Sequence, residues 1–327
     1  MELRTPVEIP DFGFKISHTD KVMFIGSCFA SEIGEKCRDG KIPVVVNPHG
    51  TLFNPVSVSV ALSRFAEGYT YTKEDLWYYS GIYYSLNHYT AFASSDPDEL
   101  VDRLNFTNAS ARSFLKNSTL LFITFGTSWL FDLKENGNTV ANCHKLPANL
   151  FVRRRAGVQE IVDLWTKTLD KLYEINPKLK VIFTVSPVRH MKDGMHGNQL
   201  SKAILLLACE EISAHPMVAG YFPAYEIFMD DLRDYRYYAS DMLHPSQTGI
   251  EYVWEMFARV FFTAETKSIW AEAEKISRAM KHRLTPGGAG NRQFAETMIS
   301  KIEALRKAVP YINFETEEDY FFSLLKI

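Results

Sequence analysis

Short apolar runs alternating with helix-length amphipathic segments constrain this chain more than any other feature. The runs are Val22 to Ile25, Val44 to Val46, Leu120 to Phe125, Val181 to Val185 and Met217 to Phe222. A strand covered on both faces reads as continuously apolar, because neither side meets water. Residues 97–117, 157–177 and 198–216 instead repeat apolar positions at three and four, the period of a helix with one buried side. Pro, Asn or Gly punctuates their ends. Strand and helix in that rhythm build a parallel sheet with crossover helices, so the expected class is α/β. Residues 245–262 read as the helix that closes the core.

Two stretches break the rhythm. Residues 69–93, dense in Tyr, Trp and Ser, are too irregular for a core helix and are expected as short strands or a lid-like insertion beside the sheet. Residues 130–145 read as a hairpin turning at Asn136-Gly137. Beyond 262 the composition shifts to two amphipathic helices joined by "TPGGAG" at 285–290, with Ile269, Trp270, Ala273, Ile276 and Met280 on one stripe and Phe294, Met298, Ile302 and Leu305 on another. The division expected is a catalytic domain over 1–262 and a helical hairpin with its tail over 263–327. "PGGAG" follows no strand, so a hinge between helices fits it better than a phosphate-binding nest.

Composition bounds the partners. At 327 residues and 46% hydrophobic the chain is large enough for a substantial core, and its formal charge of -3 supplies no global field for nucleic acid or an anionic membrane. The first 21 residues lack the apolar core of a signal peptide, and no apolar run approaches the roughly 20 residues that span a bilayer. A cytoplasmic protein is expected. Cys28, Cys37, Cys143 and Cys209 have neither disulfide-framework nor zinc-knuckle spacing. The pairs Cys143 with His144 and His190 with His196 lack further ligands, so no metal is expected.

The chemistry begins at "KVMFIGSCFASEIGEKC", residues 21–37. A strand turning sharply into a helix sets the turn residue at the carboxyl edge of the sheet, where open α/β folds bind ligands. Ser27 occupies that point, Gly26 permits the turn, and the helix N-terminus favours an oxyanion. Serine at a helix start is also an ordinary N-cap, and Cys28 is a rival nucleophile, since helix N-termini favour thiolates. A nucleophilic serine needs a base and the base an orienting group. "YYASDMLHPSQTG" offers Asp241 and His244, three apart, in a loop before the closing helix. His144, Lys145, Arg189 and His190 follow apparent strands or hairpins and are candidates to hold anionic or hydroxyl groups of a substrate. "RRR" at 153–155 reads first as a solvated loop, with a grip on an anionic substrate as the lesser alternative.

"GSCFA" at 26–30, "NPHGTLFNP" (47–55), "ITFGTSWLF" (123–131), "NCHK" (142–145), "VSPVRH" (185–190) and "SDMLHPS" (240–246) resemble, in order, motifs of the GSCFA domain family, which is related to the SGNH (GDSL-like) hydrolases and acyltransferases. The resemblance implies a flavodoxin-like three-layer α/β/α fold, with nucleophile Ser27 completed by Asp241 and His244. It also implies oxyanion donors: the Ser27 N–H, the Gly50 N–H and a side chain after the third strand. There Ser128 stands where the SGNH pattern has asparagine, so Asn54 and Asn142 are further candidates. Gly26 replaces the usual Asp before the nucleophile.

The function expected is a serine esterase or acyltransferase acting on an acyl ester, a carbohydrate ester among them, with no cofactor required. A small-molecule or oligosaccharide ester is the expected partner, and the C-terminal helices are a candidate surface for a homo-oligomer. The rival reading is a non-catalytic carbohydrate- or partner-binding module on the same fold.

Overall fold

The computed structural model describes residues 5–281 and 290–325. Strand β1 (Val22–Gly26) leads into α1 (Cys28–Asp39), β2 (Val44–Val46) and α2 (Pro55–Glu67). An insertion of β3 (Trp77–Tyr79), β4 (Ile82–Tyr84) and β5 (Ala93–Ser94) follows, and the chain returns through α3 (Pro97–Lys116) to β6 (Leu120–Phe125). A second excursion, β7 (Trp129–Leu133), β8 (Thr139–Val140) and β9 (Phe151–Arg155), precedes α4 (Val158–Ile175), β10 (Lys180–Val185), α5 (Gly194–Ile212) and β11 (Val218–Tyr221). The short α6 (Ala224–Glu226) runs into a π-helical turn at Ile227–Leu232, then come α7 (Gln247–Phe261), α8 (Ala264–Met280), α9 (Gly290–Ala308) and α10 (Glu315–Leu325). Of the "TPGGAG" joint, 285–289 lie outside the described residues.

The five apolar runs form one parallel sheet in the order β2-β1-β6-β10-β11. Numbered along the chain alone, these strands lie 2-1-3-4-5, the flavodoxin-like arrangement. Alternate strand residues face opposite ways. Met23, Ile25, Leu121, Ile123 and Phe183 pack with Leu62 and Phe65 of α2, Trp165 of α4 and Leu205 of α5. Val22, Phe24, Leu120, Phe122 and Ile182 pack on the other side with Ile33 of α1 and Phe257 and Phe261 of α7. The three-layer α/β/α expectation is met.

Helix α2 escaped the sequence reading, because "PVSVSV" alternates like a strand. Its ends decide otherwise: Asn54 Oδ1 accepts the Ser57 N–H, proline occupies the first turn, and Gly68 ends the helix in the left-handed region. The "RRR" reading is also corrected. Residues 153–155 lie in β9, paired antiparallel with β7, where Arg153 binds Asp193 and Arg154 binds Asp132 and Glu160. Strand pairing and these carboxylates order what charge alone marks as loop. The aromatic insertion is a three-stranded antiparallel sheet, and the expected hairpin is β7 with β8, joined on the other side by β9.

The C-terminal helices have a core of their own, including Ala273, Ile276, Met298, Ile302 and Phe321. They lean on α1 through Trp270, whose Nε1–H donates to the Lys36 carbonyl at 2.7 Å, and on the turn after α1 through Lys41 paired with Glu317 at 2.5 Å. Among the described residues no helix is long and apolar enough to cross a membrane.

Candidate active site

Ser27 sits at the carboxyl end of β1 as the N-cap residue of α1, in extended geometry with φ -71° and ψ 176°. Its side chain does not cap the helix. The hydroxyl is buried without a hydrogen-bond partner among the described residues, so the bland N-cap reading fails on geometry. Gly26 before it has φ +132°, and a Cβ there would stand 2.1 Å from the Thr124 carbonyl oxygen. No side chain fits, which accounts for glycine where the SGNH pattern has Asp. Burial pushes the Cys28 thiol up from its ordinary value, opposite to what a thiolate nucleophile needs.

Asp241 and His244 come from the loop between the π-helical turn and α7. Asp241 Oδ1 accepts the backbone N–H of Leu243 at 2.9 Å and of His244 at 3.0 Å, while Oδ2 lies 2.6 Å from His244 Nδ1. One carboxylate thus folds the loop and orients the ring. The His244 N–H leads the donors that hold its pKa down to about 2. Arg189 N–H donates to the Leu243 carbonyl at 3.2 Å, tying this loop to the segment after β10. No hydrogen bond joins Ser27 Oγ to His244; His244 is half exposed and Ser27 is buried.

The expected oxyanion donors are corrected. The N–H of Ser27 donates to the Thr124 carbonyl at 3.0 Å and that of Gly50 to Asn47 at 2.7 Å. Glycine is needed at 50 for another reason: φ is +77° and a Cβ would meet Tyr89 at 2.2 Å. Ser128 is fully buried, its hydroxyl 3.1 Å from Ser201 Oγ and its N–H donating to the same oxygen at 2.8 Å. Asn142 gives its amide to Thr90 at 3.1 Å and accepts the His144 N–H at 2.7 Å. Asn54 fares better. Its oxygen caps α2, its amide nitrogen has no partner among the described residues, and the residue lines the cavity described below. The N–H groups of Cys28 and Phe29, in the open first turn of α1, likewise have no acceptor there.

The polar candidates divide. His144 is buried, with Nε2 3.0 Å from the Ser85 carbonyl, and does not line the cavity described below; Lys145 is exposed beside it. His190 approaches the nucleophile: a Cβ built on Gly126 would lie 3.3 Å from Ser27 Cβ and 3.5 Å from His190 Nε2. Burial, then repulsion from Lys202, lowers the His190 pKa to about 4, so it is neutral near pH 7. Lys202 itself was missed. Fully buried on α5, its Nζ spans the Gly126 and Ser186 carbonyls at 2.6 Å each and clamps the ends of β6 and β10. A cation on the buried stripe of Ser201, Leu205, Ala208 and Ile212 was the available signal. No cluster of metal ligands exists among the described residues.

Beside these groups opens a cavity of about 890 Å³. Asn54, Thr127, His190 and Leu243 line it, and the second excursion supplies Trp129, Phe131 and Phe151; Ser27, Asp241 and His244 themselves are not among its lining residues. A doubly wound α/β protein with a buried serine at its first strand–helix turn and an Asp–His pair before its last core helix is the class these features define.

The chain belongs to the GSCFA family, whose model matches residues 21–257. Residues 273–327 match the GSCFA domain protein, C-terminal domain. A search of curated proteins finds no match. Similar solved structures include a Clostridium thermocellum family 3 carbohydrate esterase, at 10% identity and TM-score 0.35 over 76% of this chain and 98% of that one. Another is an acetyl xylan esterase, Est2A, from the rumen bacterium Butyrivibrio proteoclasticus, at 11% identity and TM-score 0.39 over 81% of this chain and 67% of that one.

Proposed function

We propose that the protein is a serine esterase or acyltransferase acting on an acyl ester, with a carbohydrate ester as one substrate class. The observation that carries this reading is the Asp241–His244 pair, set at 2.6 Å in a loop that is tied to Arg189 and adjoins the cavity beside Ser27. Ser27 Oγ attacks the ester carbonyl while His244 takes its proton, giving a tetrahedral oxyanion. Collapse breaks the bond to the alcohol oxygen, which leaves with the proton from His244. Water, or an acceptor hydroxyl in transfer, then attacks the acyl-serine with His244 again as base, and Ser27 is restored. Asp241 holds the ring tautomer and balances the imidazolium. The N–H groups of Cys28 and Phe29 and the Asn54 amide are donors left for the oxyanion. Closure of His244 onto Ser27 on substrate binding suits an unliganded site, where catalytic hydrogen bonds are often long.

The same gap between Ser27 and His244 favours a second reading, a binding module that kept the fold without the chemistry. A serine-reactive fluorophosphonate separates the two. Labelling at Ser27 that is lost in His244→Ala supports the enzyme; absence of labelling together with no turnover of short acyl esters supports the module.

A further inference from the structure

We infer that the cavity beside Ser27 receives a negatively charged group of the substrate, a carboxylate or phosphate carried on the acyl or the alcohol half of the ester. This rests on the esterase reading and names its substrate class. In a chain whose formal charge is -3, the wall holds Arg153, Arg189 and Lys192 against one carboxylate, Asp193. That carboxylate is taken, because both its oxygens bind the Arg153 guanidinium.

Arg189 and Lys192 have no carboxylate partner among the described residues. They rest on rings instead, the Arg189 guanidinium 4.8 Å from the Tyr238 centroid and Lys192 Nζ 4.9 Å from that of Phe131. Arg189 also faces the Tyr238 hydroxyl, and the remaining N–H donors of both residues are left for another acceptor. Two more donors on wall residues, Trp129 Nε1 and Arg153 Nε, are buried without an acceptor. An unpaired buried donor costs free energy that a ligand oxygen recovers, so this wall favours a ligand rich in acceptors and short of protons. Because Leu243 and His190 belong to the same wall, an anion held there lies beside the reacting ester.

The test compares matched esters on the full chain. One pair places the charge on the acyl half, 4-nitrophenyl hemisuccinate against its neutral methyl ester. The other places it on the alcohol half, an acetylated methyl glucuronoside against the acetylated glucoside. We expect kcat/KM to favour the charged member of at least one pair by about tenfold, and the preference to shrink toward unity in Arg189→Gln and Lys192→Gln and as salt rises. The pair that responds identifies which half carries the charge. Succinate and inorganic phosphate titrated calorimetrically give a readout without turnover. Anion binding weakened by both variants, with no ester cleaved, sustains the anion site while overturning the esterase reading. Esters cleaved without charge preference and no anion bound overturn the anion site and leave the esterase reading intact. No cleavage and no binding overturn both.

Discussion

Asp241 Oδ2 stands 2.6 Å from His244 Nδ1 while its other oxygen holds the backbone of the same short loop. The two residues are three apart, and Met242 between them takes a left-handed φ of +59° to bring ring and carboxylate together. These hydrogen bonds hold the Asp241 carboxyl's pKa down to about 2, so it is ionised near neutral pH. Asp241→Asn is expected to lower kcat for ester turnover by roughly 10³–10⁴-fold, as loss of the orienting acid does in serine triads, with the wild-type circular dichroism spectrum retained.

Ser27→Ala removes the proposed nucleophile together with a buried hydroxyl that has no partner. Activity and fluorophosphonate labelling should vanish, while stability holds or rises by up to about 1 kcal/mol, because no hydrogen bond is lost and a desolvated polar atom is removed. A Tm several degrees below wild type would contradict this account of the side chain.

Lys202→Met leaves the Gly126 and Ser186 carbonyls without their donor and should cost about 2–4 kcal/mol in a urea melt. Burial lowers the Lys202 pKa from 10.5 to about 7. Between those values the unfolded chain keeps a proton that the folded protein lacks, so this group makes stability rise with pH across that window. Wild type measured at about pH 7 and about pH 9.5 should show the rise relative to Lys202→Met; parallel curves would refute the linkage.

His49 and His88 are buried with ring centroids 3.9 Å apart. Burial, then the Arg64 guanidinium, lowers His49 to about 3, and burial, then His49, lowers His88. Asn108 also faces His49, and Arg64 and His144 face His88. Below the ordinary value of 6.5 the unfolded chain takes up protons that these rings refuse, so stability falls as pH drops from 6.5 toward 3. His49→Phe should flatten that decline in thermal melts taken from neutral to acidic buffer.

A Cβ on Gly40 would lie 1.8 Å from the Trp270 ring. Gly40→Ala should therefore displace Trp270 from α1 and cost about 1–3 kcal/mol, as overpacking does. Faster proteolysis within residues 264–280 and a red-shifted tryptophan emission are the expected signs.

The core sheet was legible in the chain itself. A strand buried on both faces is largely apolar, so Leu120–Phe125 announces itself at the observed boundaries, and the apolar run Val44–Val46, half-buried at the sheet edge, does so too. Ser27 after the first strand and Asp241-x-x-His244 before the last core helix were likewise readable, since strand–helix turns and short loops are local events. Helix α2 was not, because the alternation of "VSVSV" concealed apolar Val58, Leu62 and Phe65, which meet only once Asn54 caps the helix. The oxyanion donors were also beyond reach. Whether an N–H is free depends on which carbonyl folds against it, and Thr124 and Asn47, from other segments or turns, occupy those of Ser27 and Gly50. Tertiary contact likewise carried Ser128 into a hydroxyl cluster with Ser201, seventy-three residues on, and left Asn54 at the cavity. Periodicity and local turns record solvent exposure and short-range geometry. The pairing of distant polar groups appears only when the layers close.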